Sequence, residues 1–517
     1  MPSTLTYPGV YVEEVPSGVR SITGVATSIT AFVGRALRGP VNTATTITSY
    51  ADFERTFGGL WLDSTLGYAV RDFYGHGGQI AVIVRIHNEK ANDATTVTIG
   101  SGAQALKLKA ASPGTWGKKL TAVIDHEVAT LDPPDNTLFN LTIADTATDK
   151  VEVFRNVSAK ANSGRRVDLV VNGESALVEV TAAPTAKPPA TPDPENNPHA
   201  FTGGNDGDAL VAADYTTGAN LRDNKQGVYA LETADLINLI VVPPYLADPG
   251  EPAGTDGIDV TVRDDVIEYA VERRAFVILD PPPTWNTVAN ASLPANAAPT
   301  TTNAAVYFPN IRKADPLRDG QITTMSPSGA VAGVIARTDA TRGVWKAPAG
   351  LEATLSGVAE LSVPLTDLEI GQLNPLGINC LRKAPTAGHV VWGARTRVGD
   401  DRLASEWKYL PVRRTALFLE ESLYRGTQWC VFEPNDEPLW AQIRLNVGAF
   451  MNNLFRQGAF AGMTPREAYY VKCDKETTTQ DDVNLGIVNI LVGFAPLKPA
   501  EFVVVKLQQM AGQTGGA

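Results

Sequence analysis

Asp235-Leu-Ile-Asn-Leu-Ile-Val-Val242, then Asp264-Asp-Val-Ile-Glu-Tyr-Ala-Val-Glu-Arg273, then Ala275-Phe-Val-Ile-Leu279 set the fold class. The first and third runs are short, apolar and rich in β-branched residues, and each ends at prolines, Pro243-Pro244 and Asp280-Pro281. They read as buried strands. The middle run has a helix's spacing. Strand, helix and strand of this length give a βαβ unit and a parallel or mixed sheet. The same texture occurs earlier. Ile29–Val33 reads as a strand, and Ser49-Tyr-Ala-Asp52 as a capping box opening a short helix that stops at Gly58-Gly59. Leu66, Val70 and Phe73 fall at i, i+4 and i+7 in a second helix, and Gln79–Ile86 is again a buried strand. The expected class is a mixed α/β, multidomain protein.

Between about 88 and 230 Thr, Ala, Asp and Asn dominate, with short β-like runs such as LTAVIDHEV and VDLVVNG. This reads as an inserted, mostly β domain. Within it, 181–198 is proline-rich, which predicts an extended, solvated loop. Further on, Leu410–Tyr424 reads as a helix ending at Gly426. Asn435–Gly458 reads as a second, with Asn435 as cap, Asp436 and Glu437 in the first turn, and Gly458 as stop. On a helical wheel Trp440, Ile443, Val447, Phe450, Met451 and Leu454 form the apolar face. Gln442, Asn446, Asn453 and Arg456 fall on the polar face, a candidate contact with a partner or an ordinary solvated surface.

The chain has 517 residues, hydrophobic content of 44% and charged content of 19%, so it is globular, with room for about three domains. Its net charge of -12 and lack of a basic run argue against nucleic-acid binding. The opening residues show no secretory signal, and LINLIVV and GIVNILVGF are too short to span a membrane. Three scattered cysteines, Cys380, Cys430 and Cys473, read as reduced thiols. The search for chemistry yields no catalytic, cofactor or metal site. Ser112–Lys119 lacks the first glycine and the Ser/Thr of a phosphate loop and reads as a turn with a packed Trp. The five histidines form no ligand pair. Cys380 and His389 have no geometry for a dyad, and the acidic doublets, such as Asp400-Asp401 and Asp481-Asp482, read as solvated.

The two ends are more informative. Leu5–Val15, with Tyr7, Val10, Tyr11 and Val12, and Glu501–Gln508, with Phe502, Val503, Val504 and Val505, read as strands without local partners. Such strands pair with each other inside one subunit or add to a neighbour's sheet edge; the latter mode is β-augmentation.

Several blocks resemble the contractile tail sheath proteins of bacteriophages and phage-tail-like injection systems. They are Tyr7-Pro-Gly-Val-Tyr11, Thr30-Ala-Phe-Val-Gly34, Phe53-Glu-Arg-Thr-Phe-Gly58, Ser326–Ala349, Val391-Trp-Gly-Ala-Arg395-Thr396, and Phe432-Glu-Pro-Asn-Asp436. The resemblance covers 5–90 and 305–510 and is loose over 90–230. It implies a homo-oligomeric helical sheath around an inner tube protein, bounded by baseplate and terminal cap proteins. It implies no enzyme, cofactor, nucleic acid or stable membrane insertion. It further implies strand arms that reach a neighbour's C-terminal domain, whose expected acceptor edge lies in 370–500. Assembly is expected in the cytoplasm of the producing bacterium, within a virion tail or a released particle. The domains so expected are an arm at 1–20, a middle α/β domain of 21–89 with 231–350, the insertion at 90–230, a C-terminal sheath core at 351–498 and an arm at 499–517. Two alternatives are a non-contractile structural lattice and a glycan-binding or enzymatic role for the insertion.

Overall fold

The computed structural model describes residues 21–89, 92–129, 135–247, 254–293 and 299–507. The expected N-terminal strand lies outside them. The described chain divides into two compact units, one of 26–338 with 348–408 and one of 339–347 with 409–507 and the short run 21–25.

The first unit is built on an eight-stranded sheet. Its strands are β1 (Thr30–Gly34), β2 (Thr45–Ile47), β3 (Ala81–Arg85), β4 (Leu239–Val241), β5 (Phe276–Leu279), β6 (Ala304–Phe308), β7 (Ile378–Ala384) and β8 (Gly388–Val391), in the order β8-β7-β6-β5-β4-β1-β3-β2. The six central strands are parallel, and β2 and β8 pair antiparallel at the two edges. Buried on both faces, β1, β3, β4, β5 and β6 are continuously apolar but for Thr30 and Arg85, as central parallel strands must be.

Helices cover the faces. In α1 (Tyr50–Phe57) Ser49 is the N-cap, accepting from the Asp52 amide at 3.1 Å, while the Asp52 carboxylate accepts from the Thr48 amide at 3.2 Å. The α2 helix (Leu66–Gly75) sets Phe73 edge-on to Phe32 of β1, with centroids 5.4 Å apart. The α3 helix (Val260–Glu272) is capped by Asp259. The α4 helix (Ser328–Arg342) approaches α2 through glycines: a Cβ at Gly329 would lie 2.2 Å from the Ala69 carbonyl oxygen, and one at Gly333 2.4 Å from that of Phe73. Asp280, partly buried after β5, caps α4 by accepting from the Ser328 amide at 2.8 Å and hydroxyl at 2.6 Å.

Two expected boundaries move. The strands β7 and β8 belong to this sheet, with Val306 opposite Ile378, so the division falls after Lys408 and not at 351. The insertion also ends earlier than 230, because Leu210, Tyr215, Val228 and Leu231 are buried in the core of the large sheet.

The insertion itself is two four-stranded antiparallel sheets. One comprises Leu120–Asp125, Leu138–Asp145, Lys150–Ser158 and His199–Ala200; the other Thr95–Ile99, Leu106–Ala110, Val178–Ala182 and Thr202–Gly203. Alternating burial along Leu120–Asp125 and Thr95–Ile99 turns Leu120, Ile124, Val97 and Ile99 into a shared core. The proline-rich stretch is extended but not wholly solvated. Thr191 is buried, and its backbone N–H reaches the Ile124 carbonyl at 2.9 Å, because the sheet edge there needs partners. Where the insertion meets the large sheet, the amides of Gly114 and Asn205 both donate to the Asp93 carbonyl at 3.0 Å. The buried Arg85 guanidinium donates to the carbonyls of Ala36 at 2.9 Å, Gly39 at 2.7 Å and Pro113 at 2.8 Å. The Trp116 turn is packed as expected, its Nε1 donating to the Ser112 carbonyl at 3.2 Å.

Candidate assembly surface

The second unit carries the surface of interest. Its frame is α5 (Leu410–Gly426) and α6 (Glu437–Arg456). Asp436, one residue later than expected, is the N-cap of α6, because Asn435 is used otherwise. Its Oδ1 accepts from Trp440 Nε1 at 2.9 Å and its amide donates to the Ile487 carbonyl at 3.0 Å. Trp440, Ile443, Val447, Phe450, Met451 and Leu454 are buried together, as the wheel requires. Asp339, in the last turn of α4, receives a bidentate ion pair from Arg414 at 2.9 and 2.6 Å, with both side chains 3% exposed.

The polar face of α6 divides. Gln442, Asn453 and Arg456 are exposed. Asn446 departs from the expectation: it is 2% exposed, so it is not a surface contact, and its amide atoms have no hydrogen-bond partner among the described residues. Its position beside Ile443 and Phe450 puts it at the margin of the buried stripe.

Packed on α6 is a two-stranded antiparallel sheet, β9 (Tyr469–Lys472) and β10 (Leu491–Phe494), with Tyr469 opposite Phe494. A sheet of two strands leaves an outer edge on each. Tyr470 and Leu491 on these strands are half exposed. Beside β10, a groove of about 370 Å³ is lined by Leu423 and Tyr424 of α5, Thr427 just past its end, Val447 of α6, and residues 490–492. The edge lies in the expected acceptor range of 370–500.

Residues near both limits of the described chain are tied to α5. Near its start, Tyr409 donates to the Glu501 carboxylate at 3.2 Å. Near its end, Val25 donates to Ser422 Oγ at 3.1 Å, and Gly426 faces Ile22, which leaves no room for a Cβ. These two points of attachment lie about 20–25 Å apart along a 17-residue helix. Past Glu501 the described chain forms no strand, and Phe502, Val503, Val504 and Val505 are 74–81% exposed. Exposure of four consecutive large apolar side chains is unfavourable in an isolated chain and marks a contact surface.

The sites of conventional chemistry are quiet. Burial pushes the Cys380 thiol up to about 12 and that of Cys473 to about 11, which suppresses thiolate formation. Asp400 is held below the usual carboxylate range by its hydrogen bond from Arg402, and Asp482 by its hydrogen bonds from Thr479. Among the described residues there is no group of three or more His, Cys, Asp or Glu arranged to hold a metal, and no helix is long and apolar enough to cross a membrane.

A mixed α/β scaffold with an open two-stranded sheet edge and an exposed apolar tail presents surfaces suited to assembly. Two family models agree: phage tail sheath protein central domain over residues 226–397, and phage tail sheath C-terminal domain over 404–509. Together they match more than half of the chain, which belongs to the phage tail sheath protein family, a family of structural proteins. The chain is 28% identical over 128 residues to the tail sheath protein of Vibrio phage KVP40, an alignment covering 25% of this chain and 19% of that protein's length. With the tail sheath protein of Burkholderia phage BcepMu it is 22% identical over 480 residues, 88% of this chain and 87% of the relative. In fold it is similar to the sheath of an extracellular contractile injection system, the PVC sheath complex in its contracted state. The TM-score is 0.59 at 23% identity, over 98% of this chain and 99% of that one.

Proposed function

We propose that this protein is the repeating subunit of a contractile tail sheath, which polymerises helically around an inner tube and contracts to drive the tube through a target envelope. One observation supports the reading: among the described residues an exposed apolar tail and an open sheet edge occur in one unit, the two parts that a strand-addition joint needs. An apolar tail, Phe502–Val505, leaves from Glu501, and an open β10 edge lies beside a groove in the same unit. In a polymer the tail of one copy, and the N-terminal segment containing Tyr7, Val10, Tyr11 and Val12, pair with sheet edges of other copies. Leaving from opposite ends of α5, the two arms engage different neighbours. Backbone ladders depend little on side-chain identity, so such joints persist while subunits rotate against each other. Gln442, Asn453 and Arg456 on the exposed face of α6 contact the inner tube or a neighbouring subunit. Baseplate and cap proteins bound the polymer, which assembles in the cytoplasm of the producing cell as part of a virion tail or tail-like particle.

Deletion of residues 1–15, or truncation after Ala500, tests the reading. Each variant is expected to remain a folded, soluble subunit by circular dichroism and to form no sheaths by electron microscopy. Sheaths of normal length from either deletion would refute the strand-addition joint.

A further inference from the structure

We infer that Phe432 is an anchor by which one copy of this chain grips another, seated in the cavity at the carboxyl ends of β4, β5 and β6. The inference rests on the polymeric reading above but concerns a contact separate from the strand arms. Phe432 lies in the loop between α5 and α6 and is 102% exposed, the full surface of the side chain. Its φ is 68°, the left-handed region that a bulky side chain rarely adopts. Exposure and backbone strain together at one aromatic residue point to a role outside the isolated subunit.

The turn is held firmly. The Glu433 amide donates to the Cys430 carbonyl at 3.2 Å, and Asn435 is fixed by Trp440 and by the Ile487 carbonyl. The ring is thus presented in advance, with little freedom left to lose on binding. Val431, the preceding residue, is 59% exposed, and Leu485, two residues before the Ile487 that Asn435 contacts, is 74% exposed; the charges beside the ring, Glu433 and Asp436, are acidic.

The partner follows from complementarity. The cavity has a volume of about 340 Å³, the size of a small ligand site. It lies outside the carboxyl ends of the parallel strands, where sheets of this kind leave a crevice. Leu62, Tyr68, Pro283 and Met325 give it an apolar wall, and the rest of the lining is largely polar, Thr323 and Arg318 included. Leu62 is 43% exposed, so the apolar wall reaches the surface. The two carboxylates within are already engaged: Asp315 accepts from Tyr68 at 2.9 Å and lies 3.5 Å from Arg318, and Asp72 accepts from Lys313 at 2.5 Å. The Arg318 side chain is 37% exposed, which leaves it able to meet Glu433 as the ring enters. Knob and socket are different surfaces of one chain. Their contact is heterologous and propagates from copy to copy, as a helical polymer requires.

The test uses the full-length chain and follows polymerisation by sedimentation and electron microscopy. Phe432→Gly suits the left-handed backbone, so its monomer is expected to melt at or above the wild-type temperature while its critical concentration for assembly rises at least tenfold. Arg318→Glu and Glu433→Arg are each expected to impair assembly, and the double variant to recover most of it. Phe432→Gly polymerising at the wild-type concentration, or a double variant no better than the worse single, overturns the inference while leaving the arm reading intact. A wild-type chain that never polymerises under the same conditions overturns both.

Discussion

Asp339 and Arg414 offer a measurable test of what holds the second unit together. Both side chains are 3% exposed, and they are joined by two hydrogen bonds of 2.9 and 2.6 Å. Hydrogen bonds to charged groups contribute about 1.5–3 kcal/mol each, so the pair of bonds accounts for about 3–6 kcal/mol against a broken state. Removing one partner also leaves the other charge buried, and such breaks cost about 3–5 kcal/mol. Asp339→Ala is therefore expected to destabilise the unit by about 4 kcal/mol. At roughly 2–4 °C per kcal/mol, its melting transition should fall by about 8–16 °C. Asp339→Asn keeps an acceptor and should lose less. Asp339→Leu with Arg414→Met removes both charges and should lie within about 2 kcal/mol of wild type, because desolvation of the ions offsets much of their attraction. Calorimetry on the unpolymerised subunit, with urea titrations read by tryptophan fluorescence, gives these values. The reasoning fails if Asp339→Ala loses under about 1 kcal/mol, or if the double variant is as damaged as Asp339→Ala.

Gly333→Val should destabilise the first unit by about 1–3 kcal/mol or more, since any Cβ there meets the Phe73 carbonyl oxygen at 2.4 Å and the contact is backbone, which cannot swing away; an unchanged urea midpoint would count against the close helix approach. Burial raises the Asp280 carboxyl from its ordinary value of 3.8 to about 7. The folded state then holds a proton that the unfolded state has released between about pH 4 and 7. This group's contribution to stability is therefore greatest below about pH 4, declines as pH rises to 7 and is flat above it. Asp280→Asn should remove that slope, and a pH–stability profile identical in wild type and variant would contradict the assignment.

Much of the architecture is legible in the sequence wherever signals are local. The βαβ run from Asp235 to Leu279 is present, with a trimmed first strand, and α6 starts and stops within a residue or two of its Asp-Glu-Pro and Gly signals. What depends on distant partners is not legible. The strands β7 and β8 follow β6 by about 70 residues, and nothing near Ile378 indicates that its partner is Val306. Residues 213–233 have no apolar period, yet Tyr215 and Leu231 are buried against the large sheet. Asn446 misleads because a wheel ranks side chains by polarity, whereas packing of the sheet and helices around α6 decides which flank is covered. For the assembly surface, the unpaired tail is visible in sequence. The outer edge of the β9–β10 sheet is not, since both strands are only four residues long. Phe432 carries no sequence signal of exposure at all; only its φ and its uncovered ring reveal it.

The clasp at Asp93, where one carbonyl takes hydrogen bonds from both Gly114 and Asn205, has an evolutionary consequence. The two roots of the insertion stand side by side, so the large sheet experiences the segment between them as a closed loop of any content. Lengthening a loop whose ends are already fixed adds little entropy, about 0.6 kcal/mol for each doubling. A lineage can therefore exchange, enlarge or discard this module without renegotiating the register of β3 or β4. The same economy makes residues 94–204 a natural grafting position for a foreign domain displayed in many copies along a filament.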